Sequence, residues 1–108
     1  MVVSVYAGYE LALSGRLDVR HAAEVRDALH HALDSGTGDL VVDVSGVELV
    51  DATGLGVIVS AHRRADRLGR RLVLQRVPPR IDRLLTATRL NRVLVVQRVI
   101  DLTENVSA

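Results

Sequence analysis

The sequence predicts an α/β domain in which a mixed sheet of about four to five strands packs against three to four helices. Short β-branched and aliphatic runs alternate with longer segments that have helical spacing, and a pair of strands precedes this alternation. The length of 108 residues is that of a single domain spanning residues 1–108. The predicted order is β-β-α-β-α-β-α-β, with a short helix expected at the end.

The first two strands are predicted at residues 2–7 and 9–17, joined at Gly8. The second strand has period-two alternation, with Leu11, Leu13 and Leu17 on one face and Ala12 and Ser14 on the other. Gly15 stands inside this strand and indicates a bulge or a turn.

The first helix is predicted to begin at Asp18 and to end at the small-residue run 35–38. The apolar residues that recur at helical spacing are Ala22, Val25, Leu29, Ala32 and Leu33. They predict the buried side of this helix.

Residues 40–44, LVVDV, form a short apolar run typical of a central strand that is covered on both faces. A turn of sequence VDATGLG follows, and a second helix is predicted from about Thr53 to Leu68. Gly69 fits the position that ends such a helix.

The last elements are predicted strands at 72–74 and 93–96, with a helix between them that Pro79 opens at its first position. The predicted buried side of that helix contains Ile81, Leu84, Leu85 and Thr88. Residues 101–104, DLTE, resemble a capping box for the short terminal helix.

Composition excludes several classes of function. There is no cysteine, so disulfides, thiolate metal sites and thiol catalysis are ruled out. No apolar run approaches the roughly 20 residues of a membrane-spanning helix, and the start MVVSVYAGYE lacks the charged and long apolar parts of a signal peptide. We therefore expect a cytoplasmic protein that does not insert into membranes. With no Phe or Trp, its core must be aliphatic.

A net charge of +1 argues against nucleic acid as a direct partner. The densest basic run comprises His62, Arg63, Arg64, Arg67, Arg70 and Arg71. It is interpreted as the solvated face of the second helix, because no aromatic or polar base readers accompany it.

The residues offer little support for a metal or nucleotide site. His30 and His31 are adjacent and diverge by about 100° on a helix, and His21 and His62 stand alone, so no metal or cofactor is expected. Gly54 and Gly56 are too few for a Rossmann fingerprint. The amides that begin the second helix suit an anion, but the charge of Asp51 opposes one.

Catalysis is also not favoured. Ser45 and Ser60 lack an evident base, and no GxSxG motif occurs. Asp18, Asp43 and Asp51 stand near predicted strand ends, where turn formation and helix capping are favoured over an acid–base pair. The chain is therefore not expected to be an enzyme.

A protein-docking role remains for the turn. Gly54 and Gly56 give it no bulk, so a partner could approach its backbone closely. Leu55, between them, is either a core residue or an exposed contact; the sequence leaves both open.

The chain strongly resembles the STAS domains of bacterial anti-sigma factor antagonists, nearly from end to end. The residues that carry the resemblance are SGRLD at 14–18, VDVSGV at 42–47, VDATGLG at 50–56, PPRI at 78–81 and LNRV at 90–93. The resemblance implies the STAS fold and a partner-switching role. In this family the unmodified antagonist binds an anti-sigma factor, which is also an ATP-dependent serine kinase, and thereby frees a sigma factor.

The resemblance also implies the docking residues and a phosphorylation switch. The docking residues would be Asp18, Asp51, Ala52, Thr53, Gly54, Leu55 and Gly56. The kinase modifies the residue after the aspartate of the turn, and that residue is Ala52 here, which has no hydroxyl. Thr53 follows, and it is expected to cap the helix.

Three interpretations follow from this departure. The chain is an antagonist that cannot be switched off at Ala52, or one that uses Thr53 as a substitute acceptor, disfavoured by its β-branching. Alternatively it is a STAS regulatory subunit of a transporter or sensor complex, or a module that binds a small ligand. A monomer or a weak dimer is expected.

Overall fold

The computed structural model describes residues 1–6 and 8–97, and its element order confirms the predicted alternation. The strands are β1 Val2–Tyr6, β2 Glu10–Leu17, β3 Asp39–Val50, β4 Arg71–Gln75 and β5 Val95–Val96. The helices are α1 Ala22–Asp34, α2 Ala52–Arg67 and α3 Pro79–Ala87, with a 3-10 helix at Leu90–Arg92. The helix expected at 101–104 lies outside the described residues.

The five strands form one mixed sheet in the order β1-β2-β3-β4-β5, which confirms the predicted fold class. β1 and β2 are antiparallel, because they are joined by a short turn in which Gly8 has a φ of +74°. The other neighbouring pairs are parallel. A parallel pair needs a long crossover, which α1, α2 and α3 supply.

One aliphatic core joins the sheet to the helices. In β2 the predicted inward residues Leu11, Leu13 and Leu17 are all buried. The register of β2 against β3 shifts on either side of Ser14 and Gly15, which confirms the irregularity expected at Gly15. The predicted buried side of α1 is confirmed in full: Ala22, Val25, Leu29, Ala32 and Leu33.

The structure corrects the length and the surroundings of β3. This strand continues to Val50, beyond the predicted end at 44, because β2 runs beside it as far as Leu17. Gly46 permits the close approach, since a Cβ there would lie 2.6 Å from the Cβ of Ser14. The second face of the strand is not fully covered: Val41 and Asp43 are half-buried.

Smaller corrections concern helix and strand ends. α1 begins at Ala22 and not at Asp18, because the four residues 18–21 form a turn in which the His21 N–H donates to the Asp18 carbonyl. In α3, Pro79 is the first residue as predicted, but Thr88 is exposed after the helix ends and Leu84 is half-buried. Strand β5 is shorter than predicted because the N–H groups of Val93 and Leu94 donate to the Leu90 carbonyl in the turn that ends the 3-10 helix.

Candidate docking surface at the start of helix α2

Asp51 connects β3 to α2, and both of its carboxylate oxygens are used within the fold. Oδ1 accepts from the Gly54 N–H at 2.8 Å, which caps α2, and Oδ2 accepts from the Val19 N–H at 3.0 Å. The Asp51 N–H in turn donates to the Leu17 carbonyl. Asp51 therefore fixes the β2–α1 loop beside the first turn of α2, which confirms the capping interpretation for this residue.

Thr53 does not cap α2, so that expectation was wrong. The helix begins at Ala52, one residue earlier than predicted, and Thr53 is its second residue. A capping side chain has to stand just before the first helical residue, which is the position of Asp51. Thr53 is instead exposed on the first turn, next to the exposed Ala52.

Asp18 follows Leu17, and Leu17 is the register partner of Val50, so Asp18 and Asp51 end neighbouring strands. Asp18 Oδ1 accepts from the Arg20 N–H and lies 2.8 Å from His21 Nδ1. Partial desolvation raises the pKa of Asp18, but the hydrogen bond and charge of His21 and the backbone N–H groups outweigh it, and the pKa lies below its ordinary value. This carboxylate also serves a turn.

Asp43 is not part of this group, contrary to the expectation that it stands near a strand end. It lies within β3, where its register partners are Ala12 and Gln75. Its Oδ1 accepts from the Ser45 N–H, and Oδ2 lies 3.6 Å from an Arg76 nitrogen. The structure therefore brings two of the three carboxylates to one end of the sheet, each in a structural role.

The two glycines of the turn have different functions. Gly54 is buried, and a Cβ on it would lie 2.1 Å from the Leu17 carbonyl oxygen. The proposed reason for this glycine, access for a partner, is therefore wrong: it permits α2 to pack on the end of β2. Gly56 is exposed, and a Cβ there would meet nothing within 4 Å among the described residues, so the outer side of the helix is open at this point.

The accessible part of the turn thus consists of Ala52, Thr53 and Gly56, with Leu55 beside them. Leu55 is half-buried and packs on the edge of the core. It is therefore partly a core residue and partly an exposed contact, the two roles that the sequence left open. Val19 adds an exposed apolar side chain, 68% accessible, directly next to Asp51. This exposure could not be predicted from the sequence. If α1 began at Asp18, Val19 would lie three residues before Ala22, on the buried side of the helix.

The basic run is not one solvated face. Arg63 and Arg67 are exposed as predicted, but Arg64 forms a bidentate pair with Asp34 of α1, and Arg71 pairs with Asp39. Arg70 is buried, with 6% of its surface accessible. Its guanidinium donates to backbone carbonyls at the end of the sheet opposite to Asp51.

The described residues offer little for other chemistry. Within them, no group of three or more His, Asp or Glu side chains could hold a metal ion. His21 is engaged with Asp18, and His62 Nε2 lies 3.6 Å from Asp66. No helix in residues 1–6 and 8–97 is long and apolar enough to cross a membrane.

The chain is similar in sequence to a known family of domains and to curated relatives. The profile described as "Mlab, STAS domain" matches residues 5–97. The chain is 32% identical over 88 residues to the anti-sigma-B factor antagonist of Staphylococcus aureus, and the match covers 82% of each chain.

Two solved structures have the same fold. An anti-sigma factor antagonist from Mycobacterium paratuberculosis matches with a TM-score of 0.71 and 20% identity, over 97% of this chain and 90% of that one. The unphosphorylated form of the anti-sigma factor antagonist SpoIIAA matches with a TM-score of 0.67 and 14% identity, over 98% and 94% of the two chains.

Proposed function

The chain belongs to the STAS domain family, and we propose that it is an anti-sigma factor antagonist that binds an anti-sigma factor and so frees a sigma factor. The identity to the staphylococcal antagonist along most of both chains supports this regulatory role. The proposed partner is an anti-sigma factor of the ATP-dependent serine kinase type.

The main support for the proposal is that different residues of the turn hold the fold and face solvent. Asp51 and Asp18 have their carboxylates in hydrogen bonds that hold the backbone, whereas Ala52 and Thr53 are exposed on the first turn of α2. The fold does not need these exposed positions for its own packing. A rigid, capped helix start with small side chains is suited to close contact with another protein.

We propose that this surface lacks the family's switch. A phosphate at the position of Ala52 would add about −1.5 to −2 charges, next to Asp51 and Asp18, and would disfavour docking through desolvation and repulsion. Ala52 cannot accept it. The antagonist therefore stays competent for binding when the kinase is active.

Incubation with the kinase and ATP tests the missing switch. Each anti-sigma kinase of the source organism is incubated with the wild-type chain, with Ala52→Ser and with Ala52→Ser/Thr53→Val, and intact masses are measured. We expect no phosphate on the wild type and one on both variants, because the Ala52→Ser substitution restores the hydroxyl at an exposed helix start.

Two other results would rule out an antagonist without a phosphorylation switch. A stoichiometric phosphothreonine at Thr53 of the wild type would show that the exposed neighbour replaces the lost acceptor. Capture of a transporter ATPase, with no binding to any anti-sigma factor, would place the chain among STAS regulatory subunits instead.

A further inference from the structure

A groove runs along the outer side of α2, next to the 3-10 helix at residues 90–92. Its volume is about 440 Å³, and its apolar wall consists of Leu55, Val59 and Leu90. Gly56 and Ser60 also line it, so one end of the groove lies at the proposed docking surface.

The groove has an apolar half and a cationic half. Leu55, Val59, Arg63 and Arg67 are spaced four residues apart and therefore form one row along the helix. Consecutive members of such a row are neighbours about 5–6 Å apart at Cβ. The apolar half lies nearer the start of α2 and the two arginines lie nearer its end.

These two arginines differ from Arg64 of the same helix, and from Arg71 and Arg76 at strand β4, all of which are ion-paired. Arg64 and Arg71 each have a carboxylate partner at 2.7 Å, and Arg76 has one at 3.6 Å. Within residues 1–6 and 8–97, no ion pair involves Arg63 or Arg67. Two exposed guanidinium groups one helical turn apart are thus available for external carboxylates, which they bind with two parallel hydrogen bonds each.

We propose that this groove binds a helix of the anti-sigma factor that carries two carboxylates one turn apart and an apolar side chain on the same face. The carboxylates contact Arg63 and Arg67, and the apolar side chain packs on Leu55, Val59 and Leu90. The inference rests on the proposed function and adds a second contact region to the start of α2. Matched spacing of charges on two helices gives this contact its specificity.

The test is a titration of the anti-sigma factor that binds the wild-type chain with Arg63→Gln/Arg67→Gln. We expect Kd to rise about tenfold or more at low salt, and the dependence of Kd on salt to weaken, because two charge-assisted contacts are lost. Arg26→Gln/Arg71→Gln is the control, because it removes the same charge from exposed residues outside the groove. The pair of Arg71 with Asp39 is lost as well, but it lies at the end of the sheet opposite to Asp51, so Kd should stay within about twofold. The melting temperatures of the groove variant and the wild type should agree, since both groove arginines are exposed.

The partner's carboxylates are then replaced by amides, one pair at a time. One of these carboxylate pairs should weaken binding to the wild type but leave the Kd for Arg63→Gln/Arg67→Gln unchanged. That pair identifies the bound helix. If binding is lost in Ala52→Asp but unchanged in Arg63→Gln/Arg67→Gln, the proposed function stands and the groove inference is overturned. If no anti-sigma factor binds the wild type, the proposed function itself fails. If the arginine pair affects only binding to phosphatidylglycerol vesicles, the groove is a lipid contact and the inference is also overturned.

Discussion

Replacement of Arg70 by leucine is expected to lower the free energy of unfolding by about 3 kcal/mol or more. The buried guanidinium donates to four carbonyl oxygens at 3.0 Å or less, those of Gly8, Ala32, Leu33 and Gly38. They belong to the β1–β2 turn, the end of α1 and the loop before β3. The two α1 carbonyls carry the negative end of that helix dipole, which stabilises the cation. Leucine is apolar and too short to reach these acceptors, so it would leave them without their donor.

Denaturant unfolding of Arg70→Leu, Arg70→Lys and Arg71→Leu measures this effect. Arg71 is the matched control, because it is adjacent but 60% accessible, and an exposed pair such as the one it forms with Asp39 contributes little to stability. Arg70→Lys keeps the charge but loses the planar set of guanidinium N–H donors, so this variant should also be clearly less stable than the wild type. An Arg70→Leu protein as stable as Arg71→Leu would show that the carbonyl cluster does not depend on this side chain.

The two glycines of the docking turn should respond in opposite directions to alanine. Gly54→Ala is expected to destabilise the protein by about 2–3 kcal/mol, because the new methyl would overlap the Leu17 carbonyl and α2 would have to move away from β2. Gly56→Ala should stabilise it by about 0.5–1 kcal/mol, because alanine favours a helix. Among the described residues, no atom lies within 4 Å of the Cβ that would be added.

The same pair separates stability from binding. The methyl of Gly56→Ala is exposed beside Ala52, so this more stable variant should bind the anti-sigma factor less tightly than the wild type. Unfolding midpoints and binding titrations on both variants make the comparison. Equal stability of Gly54→Ala and the wild type would contradict the close packing of α2, and unchanged binding of Gly56→Ala would place Gly56 outside the interface.

The features that the sequence predicted correctly depend on local patterns. The inward side of α1 follows from helical spacing, the alternation in β2 from period two, and the first residue of α3 from Pro79. Each of these patterns is complete within a dozen or so residues, so no distant contact had to be known.

The errors arose where a distant segment decides the outcome. Asp and Thr both cap helices, so the sequence does not decide between Asp51 and Thr53. Asp51 is held in the capping position by a hydrogen bond from the Val19 N–H, 32 residues away in the sequence. The extension of β3 depends on the neighbouring β2. Arg70 belongs to a basic run that predicts a solvent-exposed side chain. Its guanidinium is instead enclosed by carbonyls from segments 32 to 62 residues away in the sequence. The two roles of Gly54 and Gly56 could not be separated for the same reason, since only packing against Leu17 distinguishes them.

We propose that the exposed start of α2 is the surface that binds an anti-sigma factor. The most direct test is the Kd of the wild type, Ala52→Asn and Ala52→Asp for the cognate anti-sigma factor, measured with ADP present. We expect Ala52→Asp to weaken binding by at least about 1 kcal/mol, roughly fivefold in Kd, because it adds an unpaired charge to a desolvated contact. The neutral Ala52→Asn, of similar size, should lose less. Both variants should remain folded, because Asp and Asn are tolerated in the first turn of a helix. Equal Kd values for the wild type and Ala52→Asp would show that the binding surface lies elsewhere.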